Sequence, residues 1–272
     1  MPRGSVERID PTSGRVTERI AVGWAPEYLA AYGDSLWVSN TTGDGSQPRS
    51  PDLNTVARID LASEDVVLTA PVLLPGLITA GPLGAWVVSA QQSLVHIVLA
   101  SGRALGTVRL ATGLPVSLAL FGGRVWVVLA HTGSSATLQV IDPASDTVVR
   151  TVEVAEDITW LVPTPTALFA TVQTGRSSFS WVRLDPQTSQ PTTLGPLPAH
   201  PAQFEGVAIT AEGAWLLSSG GPVIPFDPRT GAQDGTAVEP PDAPPGGGCA
   251  AMIAIGRDVW VVCGRAVDEI HF

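Results

Sequence analysis

Short apolar segments recur along the chain, each too brief for a helix and each closed by Gly, Pro, Asn or Asp. The most regular one carries an aromatic residue, usually with a glycine shortly before it. It reads Gly33-Asp-Ser-Leu-Trp37-Val-Ser-Asn40, then Gly84-Ala-Trp86-Val-Val-Ser89, then Gly123-Arg-Val-Trp126-Val-Val. It returns as Thr166-Ala-Leu-Phe169-Ala, Gly213-Ala-Trp215-Leu-Leu-Ser218 and Gly256-Arg-Asp-Val-Trp260-Val-Val-Cys263. The six aromatics lie 49, 40, 43, 46 and 45 residues apart, which marks an internal repeat.

A second signal runs in phase with the first. Val6-Glu-Arg-Ile-Asp10-Pro-Thr-Ser-Gly14 matches Val56-Ala-Arg-Ile-Asp60, Leu138-Gln-Val-Ile-Asp142-Pro, Trp181-Val-Arg-Leu-Asp185-Pro and Val223-Ile-Pro-Phe-Asp227-Pro, with a degenerate copy at Leu94-Val-His-Ile-Val98. Each predicts a strand ending in a tight turn: Asp caps it, Pro presets φ, and Gly takes the left-handed exit. One more apolar alternation follows each turn, and another stretch precedes each aromatic strand. One period then holds four short antiparallel strands in about 45 residues, the pattern of a β-propeller blade.

Six repeats predict an all-β, six-bladed propeller in one domain spanning 1–272. The expected blades are 27–69, 76–110, 116–153, 159–195 and 205–238, with a composite blade from 5–20 plus 250–272 closing the ring. Both ends offer a third strand for that composite blade, because Val267-Asp-Glu-Ile-His271 resembles Val6-Glu-Arg-Ile-Asp10. Either one copy lies outside the sheet, or the chain is cut from something longer.

Composition agrees with a packed β fold. Of 272 residues, 44% are hydrophobic and 15% charged, which excludes a disordered chain. Gly and Pro number 28 and 24, too many breakers for an α-rich protein. All the cations are Arg, and the net charge is −10 without an Arg cluster, which argues against nucleic acid and anionic membrane surfaces as partners. No apolar run is long enough to insert into a membrane as a helix, and no signal-peptide core is visible.

The combination of Gly-x-Leu-Trp-Val, Val-x-Arg-Ile-Asp-Pro-x-Ser-Gly and a Val-Gly-x-x-Pro segment resembles the bacterial YVTN-type and virginiamycin B lyase-like propellers. Gly14, Val22 through Pro26 and Gly33 through Asn40 carry the match most clearly. The resemblance implies a propeller scaffold used by binding proteins, sensor domains and one class of lyase. The lyases carry Trp-x-Thr-Glu in the aromatic strand and His and Glu around a divalent metal. Here the aromatic strands read Trp37-Val-Ser-Asn, Trp86-Val-Val-Ser and Trp126-Val-Val-Leu, so lyase activity is not inherited from the resemblance.

Chemistry should sit where residues break the repeat. Ten positions before each aromatic, at the start of the innermost strand, stand Glu27, Gly76, Val116, Thr159, Glu205 and Ala250. Glu27 and Glu205 are the two carboxylates, suited to holding a divalent cation such as Ca²⁺ or Mg²⁺ or to acid/base work. His131 and His200 are the histidines placed to assist them. Trp24, Tyr28 and Trp160 can stack against a sugar ring, peptide side chain or flat small molecule. Asn40, Arg49 and Thr159 complete the candidate ligand set, Arg49 from the long polar loop Thr41–Asn54.

Cys249 and Cys263 flank one hairpin turn, where a disulfide would staple the closing blade and incline the protein towards an exported compartment. Three readings follow. The leading one is a non-catalytic module binding a small molecule or peptide, or a protein partner, on the channel face. The others are a metal-assisted lyase or hydrolase at the channel mouth, and an extracytoplasmic sensor or interaction domain of a larger protein.

Overall fold

The computed structural model describes residues 4–10, 15–41, 54–89, 93–98, 103–133, 135–176, 178–198, 204–210, 213–218, 222–239, 249–255, 258–263 and 266–271. These form twenty-four strands and no helix. Two compact units divide the chain, one holding Val16–Thr132 and Ala136–Glu153 with Met1–Ile9, the other holding Val154–Phe272 with Asp10–Arg15 and Gly133–Ser135.

The first unit contains three antiparallel four-stranded blades, each a simple meander. They are β3–β6 (Pro26–Tyr32, Ser35–Asn40, Thr55–Asp60, Val66–Pro71), β7–β10 (Ile78–Gly81, Gly84–Ser89, Ser93–Val98, Ala104–Arg109) and β11–β14 (Leu114–Phe121, Arg124–Ala130, Ala136–Asp142, Thr147–Val154). Strands β1 (Ser5–Asp10) and β2 (Arg15–Ala21) pair with each other as a two-stranded ribbon. The second unit contains β15–β18 (Asp157–Pro163, Leu168–Gly175, Ser178–Leu184, Pro191–Pro196), a three-stranded sheet β19–β21 (Phe204–Ile209, Ala214–Ser218, Val223–Phe226) and another, β22–β24 (Cys249–Ile255, Asp258–Cys263, Ala266–His271).

The expected count of six blades is therefore corrected: β3 to β21 build five, and the composite sixth is not assembled as one sheet. Its third-strand place beside β23 is filled by β24, with Val262 opposite Val267, while β1 and β2 satisfy each other.

The fifth blade lacks a continuous fourth strand for a local reason. Pro225 lies in β21 with its carbonyl accepting from the Asp234 amide, so the donor that proline lacks would have pointed the same way. Only isolated bridges remain there, Val223 with Val238 and Phe226 with Gln233.

Burial explains the two sequence periods. Second and third strands are covered on both faces, as in β12 and β13, and read as continuous apolar runs. Outer strands are half exposed: β14, Thr147-Val-Val-Arg-Thr-Val-Glu-Val154, alternates inward and outward along its length. Cores lie between consecutive sheets. Trp37 and Val56 of the first blade pack with Ile78, Ala85 and Val87 of the second. Trp86 and Leu94 of the second pack with Val125, Val127 and Ile141 of the third. In the second unit Val162 and Trp181 pack with Ala214, Leu216 and Phe226.

Four of the expected capping aspartates take that role, and the side chain of the fifth, Asp10, lies outside the described residues. Asp60 accepts from the amides of Ala62 and Ser63, Asp142 from Ala144, Asp185 from Gln187 and Thr188, and Asp227 from Arg229. Phe169, the aromatic of the fourth repeat, is only half buried. Trp181, from the third strand, fills the core there and stacks on Phe169 with ring centroids 5.0 Å apart.

Candidate functional site

A β-bulge recurs at one slot of every first strand. Pairing skips from Pro26 to Tyr28, Pro115 to Ser117, Ile158 to Trp160, Phe204 to Gly206 and Cys249 to Ala251. In the second blade Gly76 and Leu77 both bond to Val88. The extra residues are Glu27, Gly76, Val116, Thr159, Glu205 and Ala250, the slot singled out from the repeat. Each bulge opposes the residue two beyond the strand aromatic, namely Ser39, Val88, Val128, Thr171, Leu217 and Val262. Two residues facing one suspend the alternation of side chains and re-aim them, which is why bulges are common beside binding sites.

In the first blade the bulge brings Glu27 beside Tyr28. Burial pushes the Tyr28 phenol above its ordinary pKa, helped by the charge of Glu27 and by a hydrogen bond the phenol donates to its carboxylate. Tyr28 is 36% exposed. Opposite it, Ser39 is fully buried, and its hydroxyl has no hydrogen-bond partner among the described residues.

The fourth blade uses the slot differently. The Thr159 hydroxyl lies 2.7 Å from that of Thr171, the counterpart of Ser39. The bulge leaves Trp160 41% exposed on a first strand. At the same end of β15 and β16, a polar cleft of about 460 Å³ is bounded by Ala155, Glu156 and Asp157 on one side and Gln173 to Gly175 on the other.

The remaining candidates divide. Asn40, expected as a ligand residue, is fully buried and structural: its carbonyl accepts from the Gly23 amide and its amide reaches Thr55. A side chain at Gly23 would strike Asn40 at 2.7 Å, so glycine is required there. Trp24 is half buried in the turn before β3. His131 lies 2.6 Å through Nε2 from the Thr137 hydroxyl, which donates its one proton to Glu153 at 2.7 Å. That chain ties together the ends of β12, β13 and β14.

Glu27 belongs to the first unit and Glu205 to the second. The backbone of Glu205 lies in β19, but its side chain, like Arg49 and His200, lies outside the described residues. Among the described residues no three His, Cys, Asp or Glu side chains are placed to hold a metal ion. Backbone register sets Cys249 opposite Cys263, and their side chains are outside the described set.

Sequence reasoning missed a second aromatic assembly. His96, 3% exposed, stacks on Trp86 at 4.4 Å, and its Nδ1 lies 2.9 Å from Asp146, which comes from the third blade's outer turn. His96 stands where Arg58 stands in the first blade, and Arg58 covers Trp37 in the same way. The shared slot in the strand pattern was the available signal.

No protein-family model matches the sequence, and no curated protein matches it by sequence. Solved structures do resemble it. The β-propeller domain of Myceliophteria thermophila Cps50 (Swd1) superposes with a TM-score of 0.73 at 11% identity, covering 99% of this chain and 91% of that one. The computationally designed Ika8 protein gives a TM-score of 0.63 at 13% identity, covering 96% and 75%. At such identities the likeness shows the fold alone, an all-β propeller of antiparallel blades.

Proposed function

We propose that this protein is a non-catalytic binding module that takes up a small molecule or peptide at the bulged ends of its first strands. The observation that carries the reading is the bulge itself, repeated in every first strand while its side chains change from blade to blade. A constant backbone device presenting Glu27–Tyr28 in one blade and Thr159–Trp160 in another suits recognition better than structural support. Half-exposed Tyr28 and Trp160 supply flat contact area at low conformational cost. Affiliation with the YVTN-type propellers is part of this proposal and rests on the sequence resemblance alone.

The test is a screen of sugars, flat heterocycles and short peptides by thermal shift. Hits should lose their effect in Trp160→Ala or Tyr28→Ala and keep it in Trp24→Phe. Hits indifferent to both bulge substitutions would remove the site. A hit that is turned over rather than merely bound would replace this reading with an enzymatic one.

A further inference from the structure

At the opposite end of the fourth blade's strands lies a second cleft, of about 600 Å³, within the range of small-molecule pockets. Its lining includes half-buried Phe169, Leu194 and Ile209, which give it an apolar floor. Two cations stand at it, Arg183 from β17 and Arg229 from the turn after β21. We propose that this cleft binds a small amphipathic carboxylate, with the apolar body on Phe169 and the carboxylate between the two guanidinium groups.

Three observations support this. First, Arg183 occupies the repeat slot of Arg8 and Arg58. Arg8 pairs with Glu64, and Arg58 bonds Ser35 and covers Trp37. Neither Arg183 nor Arg229 has a carboxylate partner among the described residues, in a chain with 25 acidic side chains against 15 Arg. Guanidinium groups that have no carboxylate partner among the described residues and stand beside apolar surface match a carboxylate on an apolar body, since the planar fork favours bidentate contact.

Second, the walls are held in place before any ligand arrives. The Trp181 indole donates to the Pro228 carbonyl at 2.8 Å, pinning the turn that carries Arg229. Asp227 caps the same turn through the Arg229 amide and the Thr230 hydroxyl. Third, the floor is fixed. Phe169 stacks on Trp181 at an interplanar angle of 15°, and register sets Phe169 directly opposite Arg183. Preorganised walls reduce the ordering cost of binding.

The experiment titrates 4-phenylbutanoate and its neutral amide into the full-length protein, labelled with ¹⁵N, and follows the indole N–H of Trp181, identified by its loss in Trp181→Phe. The carboxylate should shift that signal saturably. The amide should bind at least about tenfold more weakly, as should Arg183→Gln and Arg229→Gln, because each lacks one charge-assisted contact. Arg183→Lys, which keeps the charge without the fork, should fall between. Circular dichroism of each variant separates lost binding from lost folding. Equal binding of acid and amide, binding unchanged in both Gln variants, or no shift up to about 10 mM carboxylate overturns the proposal. Trp160→Ala should leave this binding untouched, so failure here and failure at the bulged face are separate results.

Discussion

Four turns between third and fourth strands place a residue at positive φ four positions after the capping aspartate. They are Glu64 at 61°, Asp146 at 51°, Ser189 at 62° and Gly231 at 78°. Only one is glycine, although left-handed backbone costs an ordinary residue about 1 kcal/mol. Among the described residues the Glu64 side chain makes only an exposed pairing with Arg8, worth little. Glu64→Gly should therefore be neutral or stabilise by up to about 1 kcal/mol in chemical denaturation. Asp146 is different, because from the same conformation it reaches His96 and lies 3.4 Å from the Trp86 indole nitrogen. Asp146→Gly should cost about 1–3 kcal/mol in chemical denaturation by leaving the Nδ1 of buried His96 without its partner.

Two titrations belong to the residue scale as well. The Ser63 amide, then the Ala62 amide, the Ser63 hydroxyl and nearby Arg58, outweigh desolvation and hold the Asp60 carboxyl below the usual carboxylate range. A depressed folded pKa means that the contribution of Asp60 is complete above the unfolded value and is lost as pH falls through the folded one. Stability measured across the acid range should thus fall less steeply in Asp60→Asn. Tyr28 runs the other way. Its raised pKa makes its contribution complete below the unfolded value and lost as pH rises through the folded one. In a Tyr32→Phe background, Glu27→Gln should lower the phenol pKa in an ultraviolet absorbance titration. No change would mean that the bulge does not bring the two side chains together.

Contacts between elements depend on a few close approaches. Gly195 in β18 sits where a Cβ would fall 2.0 Å from the Thr230 carbonyl oxygen, a backbone atom that cannot move without breaking the turn. Gly195→Ala should therefore destabilise the fold by about 2 kcal/mol or more, read by thermal unfolding. At this scale the sequence was only partly legible. Strand periods, capping aspartates and the bulge slot were readable because the same local physics recurs in every repeat. The exchange of Phe169 for Trp181 as core aromatic was not, because it depends on which strand delivers the larger ring to one shared space. The reach of Asp146 to His96 and the pinning of the Pro228 turn by Trp181 were hidden too, since both join residues of different blades.

For the whole molecule, periodicity announced a propeller but could not decide the competition at its ends. Val6 to Asp10 and Val267 to His271 carry the same strand pattern, and β24 takes the place beside β23 because only two residues of sequence separate them. Closing a short loop costs less entropy than recruiting the far terminus. The candidate site was legible as positions and not as an arrangement. Counting back from the aromatics found the bulge residues, but not that Tyr28 would share a proton contact with Glu27 or that Asn40 would be buried. The central claim is that ligand meets the bulged ends of the first strands. The most direct test is fluorine NMR of protein carrying fluorotryptophan at its eight Trp positions, with screened ligands added one at a time. The account predicts that a specific ligand moves the Trp160 resonance, assigned by its absence in Trp160→Phe, while the resonances of buried Trp37, Trp86 and Trp126 stay in place. Ligands that bind saturably without moving Trp160, in a protein where Tyr28→Ala also leaves affinity unchanged, would contradict it.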